Sequence, residues 1–156
     1  MRLLAALMMM GLLGSTTLTA ADWLKWRGPN GNNVAASGQQ VPTTWSSAKN
    51  VVWRASVPGR GHSSPLVVGD LVVLTTATSS QVQSVVAFDR QTGSKEWETP
   101  ISQGGLPRIH IKNTHASATA CSDGKQIYAT FNHHGKIEAV ASVSYTHLTL
   151  PTIYSV

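Results

Sequence analysis

The segment at residues 87–97, AFDRQTGSKEW, constrains the fold more than any other part of the sequence. A Thr-Gly pair, Thr92 and Gly93, separates an apolar run that ends at Asp89 from a lone tryptophan, Trp97. Glycine adopts the positive φ that tight turns between strands often require, so the pair predicts a hairpin. The hairpin does not explain the tryptophan, whose large flat side chain is suited to packing against a further layer.

The residues around this hairpin predict four short antiparallel strands. In PLVVGDLVVLTTA, two β-branched runs are joined at Gly69 and Asp70, a typical turn pair. The next run, VQSVVAFDR, has apolar residues on both faces, which predicts a strand between two layers. KEWETPI completes the fourth strand, and NVVWRASV, residues 50–57, predicts one more strand ahead of the unit. No stretch after the first 21 residues has convincing helical periodicity, so the mature chain is predicted to be all-β.

The four-strand unit recurs once along the chain. GHSSPLVV at residues 61–68 is echoed by THASATAC at 114–121, and GDLVVLTT is echoed by DGKQIYAT at 123–130. KIEAVA, residues 136–141, falls where SVVAFD fell in the first copy. Recurring four-stranded antiparallel units are typical of propeller blades. The predicted fold class is all-β, a partial β-propeller of about two four-stranded antiparallel blades that is not closed.

The turn segment resembles the repeat signature Ala-x-Asp-x-x-Thr-Gly-x-x-x-Trp of the PQQ-type, or quinoprotein-alcohol-dehydrogenase-like, β-propellers. The matching structural positions are Ala87, Asp89, Thr92, Gly93 and Trp97. DWLKWRGPNG, NVVWRASVPGRGHSSP and NTHASATA also resemble the amino-terminal third of secreted bacterial proteins of this family. The resemblance implies that Trp97 docks against the neighbouring blade while its indole N–H meets a backbone acceptor. We also expect NVVWRA to supply a fourth strand to a final blade that this chain does not encode. Asp89 is expected to accept hydrogen bonds from N–H groups of its turn.

The chain divides into a predicted export signal, an irregular segment and the partial propeller. Residues 1–21 place Arg2 ahead of a short apolar run and a small-residue stretch, the layout of a secretory signal peptide. The run is shorter than the roughly twenty residues that span a bilayer. Residues 22–49 are dense in Gly, Asn, Pro and Ser, and their tryptophans are expected to hold them across a core. Residues 50–141 form the predicted partial propeller.

Residues 142–156, SVSYTHLTLPTIYSV, depart from the repeat. They contain no glycine, acidic residue or tryptophan, although the second copy should continue with its own turn and tryptophan. We therefore expect a non-native tail on an amino-terminal fragment, with the fourth strand of the second blade missing. A natural divergent ending is the alternative.

Charge and cysteine content exclude some classes of function. The 12 basic side chains exceed the 7 acidic ones but are scattered singly along the sequence, which does not favour nucleic acid as a partner. Cys121 is the only cysteine, so no internal disulfide can form. Its strand-like context favours a small buried residue over a reactive thiol.

Three side chains are candidates for ligand or cofactor binding. His62 and His115 occupy equivalent repeat positions ahead of innermost-strand candidates, with Arg60 and His110 nearby. In a closed propeller these loops could rim the central funnel and meet a small anionic ligand such as a quinone carboxylate. The alternative is that each histidine satisfies backbone groups at a loop-to-strand junction. His133-His134 lies in a turn without a further ligand group, so no metal site is predicted, and no catalytic residue stands out.

Two functions follow from the resemblance. The first is a non-enzymatic binding or assembly scaffold, similar to the propeller subunit of outer-membrane barrel assembly machinery, with protein partners. The second is a dehydrogenase that oxidises an alcohol or sugar with PQQ and calcium, although the vicinal cysteine pair and calcium-binding carboxylates of that class have no counterpart here. In either case the protein is expected to be exported, periplasmic or extracellular, and not membrane-spanning after signal removal.

Overall fold

The computed structural model describes residues 21–39, 41–143 and 152–155. The predicted signal peptide, residues 1–21, lies outside these ranges except for Ala21. Within them the chain forms eight β-strands and no helix. The strands are β1 Leu66–Val68, β2 Leu71–Ala77, β3 Val82–Asp89, β4 Lys95–Gln103, β5 Cys121–Ser122, β6 Gln126–His133, β7 Lys136–Val143 and β8 Thr152–Ser155.

The strands form two antiparallel sheets, each made of four consecutive strands. Blade 1 has the order β1-β2-β3-β4, and blade 2 has the order β5-β6-β7-β8. Every neighbouring pair is antiparallel, and neither sheet closes on itself in the described part of the chain. The prediction of an all-β partial propeller is confirmed.

Blade 1 forms where the sequence pattern placed it. Gly69 has a φ of 55° in the turn between β1 and β2, which suits a residue without a β-carbon. The central strand β3 has six consecutive buried residues from Gln83 to Phe88, so both of its faces are covered. A bulge between Ala87 and Phe88 interrupts the pairing with β4 beside Trp97.

The hydrophobic core lies between the two blades. Both sheets contribute buried apolar side chains to one cluster, and Trp97 and Leu24 pack against it as partly buried residues. The cluster consists of Leu66, Val68, Val73, Val85 and Ala87 from blade 1, with Ala120, Ile127, Ala129, Phe131 and Val140 from blade 2 and the loop before it. Burial of apolar area between the sheets therefore stabilises the pairing of the blades.

The NVVWRASV segment, which was expected to be a strand, is not one among the described residues. Its expected pairing with a final blade is not tested and stays a prediction. The segment is extended but makes no ladder hydrogen bonds to a neighbour among the described residues. Trp53 contacts the β3–β4 turn at one end, and Pro58 accepts a hydrogen bond from Thr76 Oγ1 at the other. The segment thus runs over the face of blade 1 that points away from blade 2. Val52 in this segment is 87% exposed.

The N-terminal segment is anchored by one of its three tryptophans. The Trp23 backbone pairs with Val67 of β1, and its indole lies against Gly28. Trp26 and Trp45 are 63% and 70% exposed, so the expectation that they also hold the segment against a core is wrong. No strand longer than an isolated bridge forms within this segment in its described residues.

Blade 2 differs from its prediction at two places. Strand β8 pairs with β7 in the fourth position, with Val140 opposite Ile153, so the expectation of a missing fourth strand is wrong. Strand β7 continues to Val143, two residues beyond the predicted end of the propeller. The pairing does not test where residues 142–156 originate, and their non-native origin stays a prediction. Cys121 is exposed, which contradicts the expectation of a small buried residue.

The described residues contain no helix of the length and apolar character needed to cross a membrane.

Candidate functional site

A cleft of about 470 Å³ opens where the chain passes between the blades. It lies beside the long loop between β4 and β5, residues 104–120, and is completed by the loop before β1 and by the β2–β3 turn. Arg60, His110 and His115 line it together with apolar residues that include Ile109 and Ile111. The loop crossing between two sheets therefore builds the site.

Gln83 on β3 anchors this loop from inside blade 1. The residue is fully buried, and its Nε2 donates hydrogen bonds to the carbonyl oxygens of His115 at 2.7 Å and Asn132 at 3.4 Å. Its Oε1 accepts a bond of 2.6 Å from Ser102 Oγ. One buried amide therefore joins β3 to β4, to the loop and to β6. Nothing in our sequence analysis singled out Gln83, although a polar residue on a strand with apolar groups on both faces is the signal that could have found it.

Further hydrogen bonds continue this junction toward the inner strands. The His62 N–H donates to Ala116 O at 2.9 Å, and Thr75 Oγ1 donates to Ala118 O at 3.1 Å. Gly61 has no room for a β-carbon, which would lie 2.6 Å from Thr75 O. We call these bonds and those of Gln83 the inter-blade seam. The seam holds the loop in one position against blade 1.

The cleft contains two of the three predicted candidates. Arg60 lies on its wall, where its backbone pairs with Ala77 and leaves the side chain exposed. His115 also lines the cleft, while its carbonyl oxygen faces Gln83. His62 is exposed and is not among the lining residues, and its backbone N–H belongs to the seam. The sequence identified His110 only as a residue near the candidates. In the structure it lines the cleft as the third cationic or protonatable side chain.

The loop is ordered by its own polar groups. Asn113 Oδ1 accepts hydrogen bonds from Thr114 N at 2.9 Å and from Ser117 Oγ at 2.6 Å. His110 Nδ1 accepts a bond of 3.2 Å from the Lys112 N–H. In a neutral His110 the proton is therefore on Nε2, which leaves this nitrogen as a donor. The loop is preorganised before any ligand arrives.

Charge is unevenly divided between the two ends of the blades. At the cleft end, the loops at residues 57–64 and 104–120 contain three Lys or Arg residues, three His residues and no Asp or Glu. These are Arg60, Arg108 and Lys112 with His62, His110 and His115. At the opposite end, the turns and the strand ends beside them carry Asp70, Asp89 and Asp123 together with Arg90, Lys95 and Lys125, so both signs occur there. We call the two loops at the cleft end the basic end.

A second group of polar side chains lies at the β6–β7 turn. His133 Nε2 is hydrogen-bonded to Glu138 Oε2, and both side chains are largely buried. His133 Nδ1 is buried and has no hydrogen-bond partner among the residues that the structure describes. The His134 N–H donates to Gly105 O at 2.6 Å, and its ring lies against Gly105. Sequence analysis did not connect His133 with Glu138. No group of three or more His, Cys, Asp or Glu side chains that could hold a metal occurs in the described part of the chain.

The repeat motif forms a turn centred on Asp89. Asp89 Oδ1 accepts hydrogen bonds from Thr92 Oγ1 and Thr92 N, both at 2.7 Å, and from Gln91 N at 3.0 Å. These bonds hold the pKa of Asp89 below its usual value of 3.8, and the bond from the Thr92 hydroxyl has the largest effect. Gly93 has a φ of 74°, and its Cα lies against the Trp53 ring, so a β-carbon there would be 2.5 Å from Trp53 Cδ2.

The two motif-related tryptophans make different contacts. Trp53 Nε1 donates to Arg90 O at 2.8 Å while its ring covers the Gly93 turn. Trp97 packs against the inter-blade core, and its indole N–H has no protein acceptor among the residues described. The indole-to-backbone bond expected for Trp97 is thus made by Trp53, on the outer face of the same blade.

Two four-stranded antiparallel sheets, packed face to face through the Ala87 and Trp97 side of the first, define a β-propeller repeat protein. Residues 20–144 match the family model described as outer membrane protein assembly factor BamB, and the chain belongs to this PQQ-repeat family. Searches of curated proteins and of solved structures give no significant match.

Proposed function

We propose that the protein is an exported propeller that acts as a non-enzymatic binding or assembly scaffold for protein partners, in the periplasm or outside the cell. The observation that carries this proposal is a preorganised cleft whose loop is fixed by the buried Gln83 amide. Loops positioned by a rigid scaffold commonly carry binding function. A preformed loop also loses less conformational entropy when a partner docks.

The composition of the cleft supports binding over catalysis. Its lining combines Arg60, His110 and His115 with apolar side chains, but it contains no Asp, Glu or Cys among the described residues. No carboxylate of the described lining can orient a histidine as a general base, and His110 Nδ1 is bonded to the Lys112 N–H instead. The description of the family, an assembly factor for outer membrane proteins, also favours a role in contacts between proteins.

The second candidate is a dehydrogenase that uses PQQ and calcium. Arg60, His110 and His115 around one cleft are suitable for an anionic quinone. Calcium is different, because it takes six to eight oxygen ligands in which Asp and Glu carboxylates are prominent. The oxygen-bearing side chains of the lining are those of Thr78, Ser79, Asn113 and Thr114, so this donor set does not fit calcium.

Reconstitution separates the two functions. The purified chain would be incubated with PQQ and calcium chloride and assayed for reduction of an artificial electron-accepting dye with alcohols and aldose sugars. The scaffold proposal predicts the same rate with and without PQQ. Substrate-dependent dye reduction that requires PQQ would contradict it.

Site-specific crosslinking tests the binding role directly. A photoreactive residue would replace Ile111, which is 87% exposed on the cleft loop, with Val52 as the control because it is equally exposed on another surface. We expect one reproducible protein adduct from position 111 in living cells and none from position 52. Equal adducts from both positions would contradict a specific binding surface.

Amino-terminal sequencing of the exported product tests the predicted export signal. The sequence of that product should begin at Asp22.

A further inference from the structure

We infer that the basic end binds an acidic, partly apolar segment of a protein partner, with the segment seated in the cleft. This inference rests on the proposed scaffold function and names the chemistry of its partner. It is carried by charge complementarity, by the mixed lining of the cleft and by the fixed position of its loop.

The charge of the basic end is not balanced locally. Arg60, Arg108 and Lys112 lie on its two loops, and no carboxylate occurs on either loop. The nearest carboxylate in the adjoining β6–β7 hairpin, Glu138, is already bonded to His133. A partner segment with Asp or Glu residues would supply the missing charge, and it would be steered to this end because the opposite end carries aspartates as well as cations.

The lining of the cleft indicates a peptide over a small anion. Ile109 and Ile111 stand beside Arg60 and His110, and Ile111 is 87% exposed. An inorganic or small organic anion would leave that apolar surface in water. A segment with alternating acidic and apolar side chains would cover it while it pairs with the cations. The volume of about 470 Å³ is also within the range of sites that hold more than an ion.

The donors of the cleft are held ready for carboxylates. His110 Nδ1 accepts a bond from the Lys112 N–H, so Nε2 of a neutral His110 can donate to an incoming acceptor. Asn113 is occupied by Thr114 and Ser117, which fixes the loop. Binding therefore requires little reordering of the backbone.

Nucleic acid fits this site less well. Among the described residues the lining contains no Phe, Tyr or Trp on which bases could stack, and stacking on aromatic side chains is a main contribution to the binding of single strands. Arg60 is the permanently charged side chain of the lining, and Arg108 and Lys112 flank the lining on the loop. These three cations do not form a continuous track for a phosphate backbone.

Binding of a defined peptide tests the inference. The probe is a fluorescein-labelled peptide of alternating Glu and Leu, and the control probe has Gln in place of every Glu. Fluorescence anisotropy would be measured with the full chain and with the double variant Arg60→Gln/Arg108→Gln, whose side chains are both on exposed residues. The matched control is Lys95→Gln/Lys125→Gln, which removes the same charge from the opposite end.

We expect the Glu peptide to bind the wild-type chain and to bind the Arg60→Gln/Arg108→Gln variant about fivefold more weakly, as for two exposed charge pairs. The Lys95→Gln/Lys125→Gln variant should bind like the wild type. Equal binding of the Gln peptide, equal weakening by both double variants, or displacement by citrate at the concentration of the peptide would each overturn the inference. Tighter binding of a single-stranded oligonucleotide would also overturn it. These binding measurements are independent of the dye-reduction assay with PQQ. Failure of this inference would therefore leave the scaffold proposal standing, because that proposal is tested by the assay.

Discussion

The side-chain amide nitrogen of Gln83 donates a 2.7 Å hydrogen bond to the carbonyl oxygen of His115, and this contact connects the buried centre of blade 1 with the loop that forms the cleft. Gln83 is fully buried, so the bond is shielded from water. In such surroundings an unpaired polar group costs more than the bond itself contributes. The position of the candidate site therefore depends on an interior residue that does not line it.

Replacement of Gln83 by leucine should destabilise the fold. Gln83→Leu keeps a similar volume but leaves His115 O and Ser102 Oγ without this partner. We expect the free energy of unfolding to fall by about 1 to 3 kcal/mol. Urea denaturation would measure it, with Gln91→Leu as the control because Gln91 is exposed. An equal midpoint for Gln83→Leu and wild type would show that the amide does not hold the seam.

The two tryptophans should respond differently to loss of the indole nitrogen. Trp53→Phe removes the hydrogen bond to Arg90 O, whereas Trp97→Phe removes no such bond to a described residue. Both tryptophans are partly buried, so the lost hydrogen bond should make Trp53→Phe more destabilising by about 0.5 to 1.5 kcal/mol. The comparison requires thermal or urea unfolding of both variants. A larger loss for Trp97→Phe would contradict the assignment of the hydrogen bond.

A pair of glycines isolates the contact between Trp53 and the turn. Gly93 and Gly135 have nearly equal φ values of 74° and 71°. Gly93 has the Trp53 ring against its Cα, whereas no atom of the described part of the chain lies within 4 Å of a β-carbon at Gly135. Gly135→Ala should cost about 1 to 2 kcal/mol from backbone strain. Gly93→Ala should cost a further ~1 to 3 kcal/mol from overpacking.

Unfolding experiments on the two glycine variants would measure this difference. In the background Trp53→Ala, the extra cost of Gly93→Ala should disappear, because the ring that it meets is gone. Persistence of that cost would mean that another group fills the space beside Gly93.

The Asp89 carboxylate leads to a prediction about how the stability of the fold depends on pH. Hydrogen bonds lower the pKa of Asp89 in the folded protein below 3.8, and the largest effect is that of the bond from the Thr92 hydroxyl. A carboxyl whose pKa is lower when folded stabilises the fold above its unfolded pKa, and this contribution is lost as pH falls through the folded pKa. The effect should therefore be full at neutral pH, begin to decline near pH 4, and be lost as pH falls through the folded pKa, which lies below 3.8.

Carbon-detected NMR titration of the Asp89 carboxyl group would measure this pKa. In Thr92→Val the pKa should rise toward its usual value but not reach it, since the Thr92 and Gln91 N–H groups still donate. The pKa of Asp123, which is lowered mainly by its bond from the Gln126 N–H, should not change in this variant. An unchanged Asp89 pKa in Thr92→Val would contradict the role of the hydroxyl.

The strands of blade 1 could be predicted because several local signals agree. The run of apolar residues on both faces of β3, the turn at Gly69 and the Thr92-Gly93 pair each depend only on neighbouring residues. NVVWRASV has the same β-branched character but no strand beside it to pair with, so its composition predicted a strand that the described structure lacks. Strand propensity describes suitability for a sheet and does not supply the partner.

The cleft was only partly predictable for the same reason. Equivalence between the repeats identified His115, but the same equivalence also selected His62, which is not part of the lining. Proximity in sequence identified Arg60 and His110, and both line the cleft. The scattered cations gave no sign that Arg108 and Lys112 would share one end of the blades. That grouping arises from the alternation of strand direction, which places every second connection at the same end.

The most direct test of the seam is hydrogen exchange of the His62 and Ser64 backbone amides, measured by NMR on the full chain. Both residues precede β1 and belong to no strand, and their N–H groups donate across the seam to Ala116 O and Thr119 Oγ1. If the two blades are joined as described, these amides exchange as slowly as those in the centre of β3. Exchange at the rate of exposed loop amides would contradict the joined arrangement and the fixed cleft that depends on it.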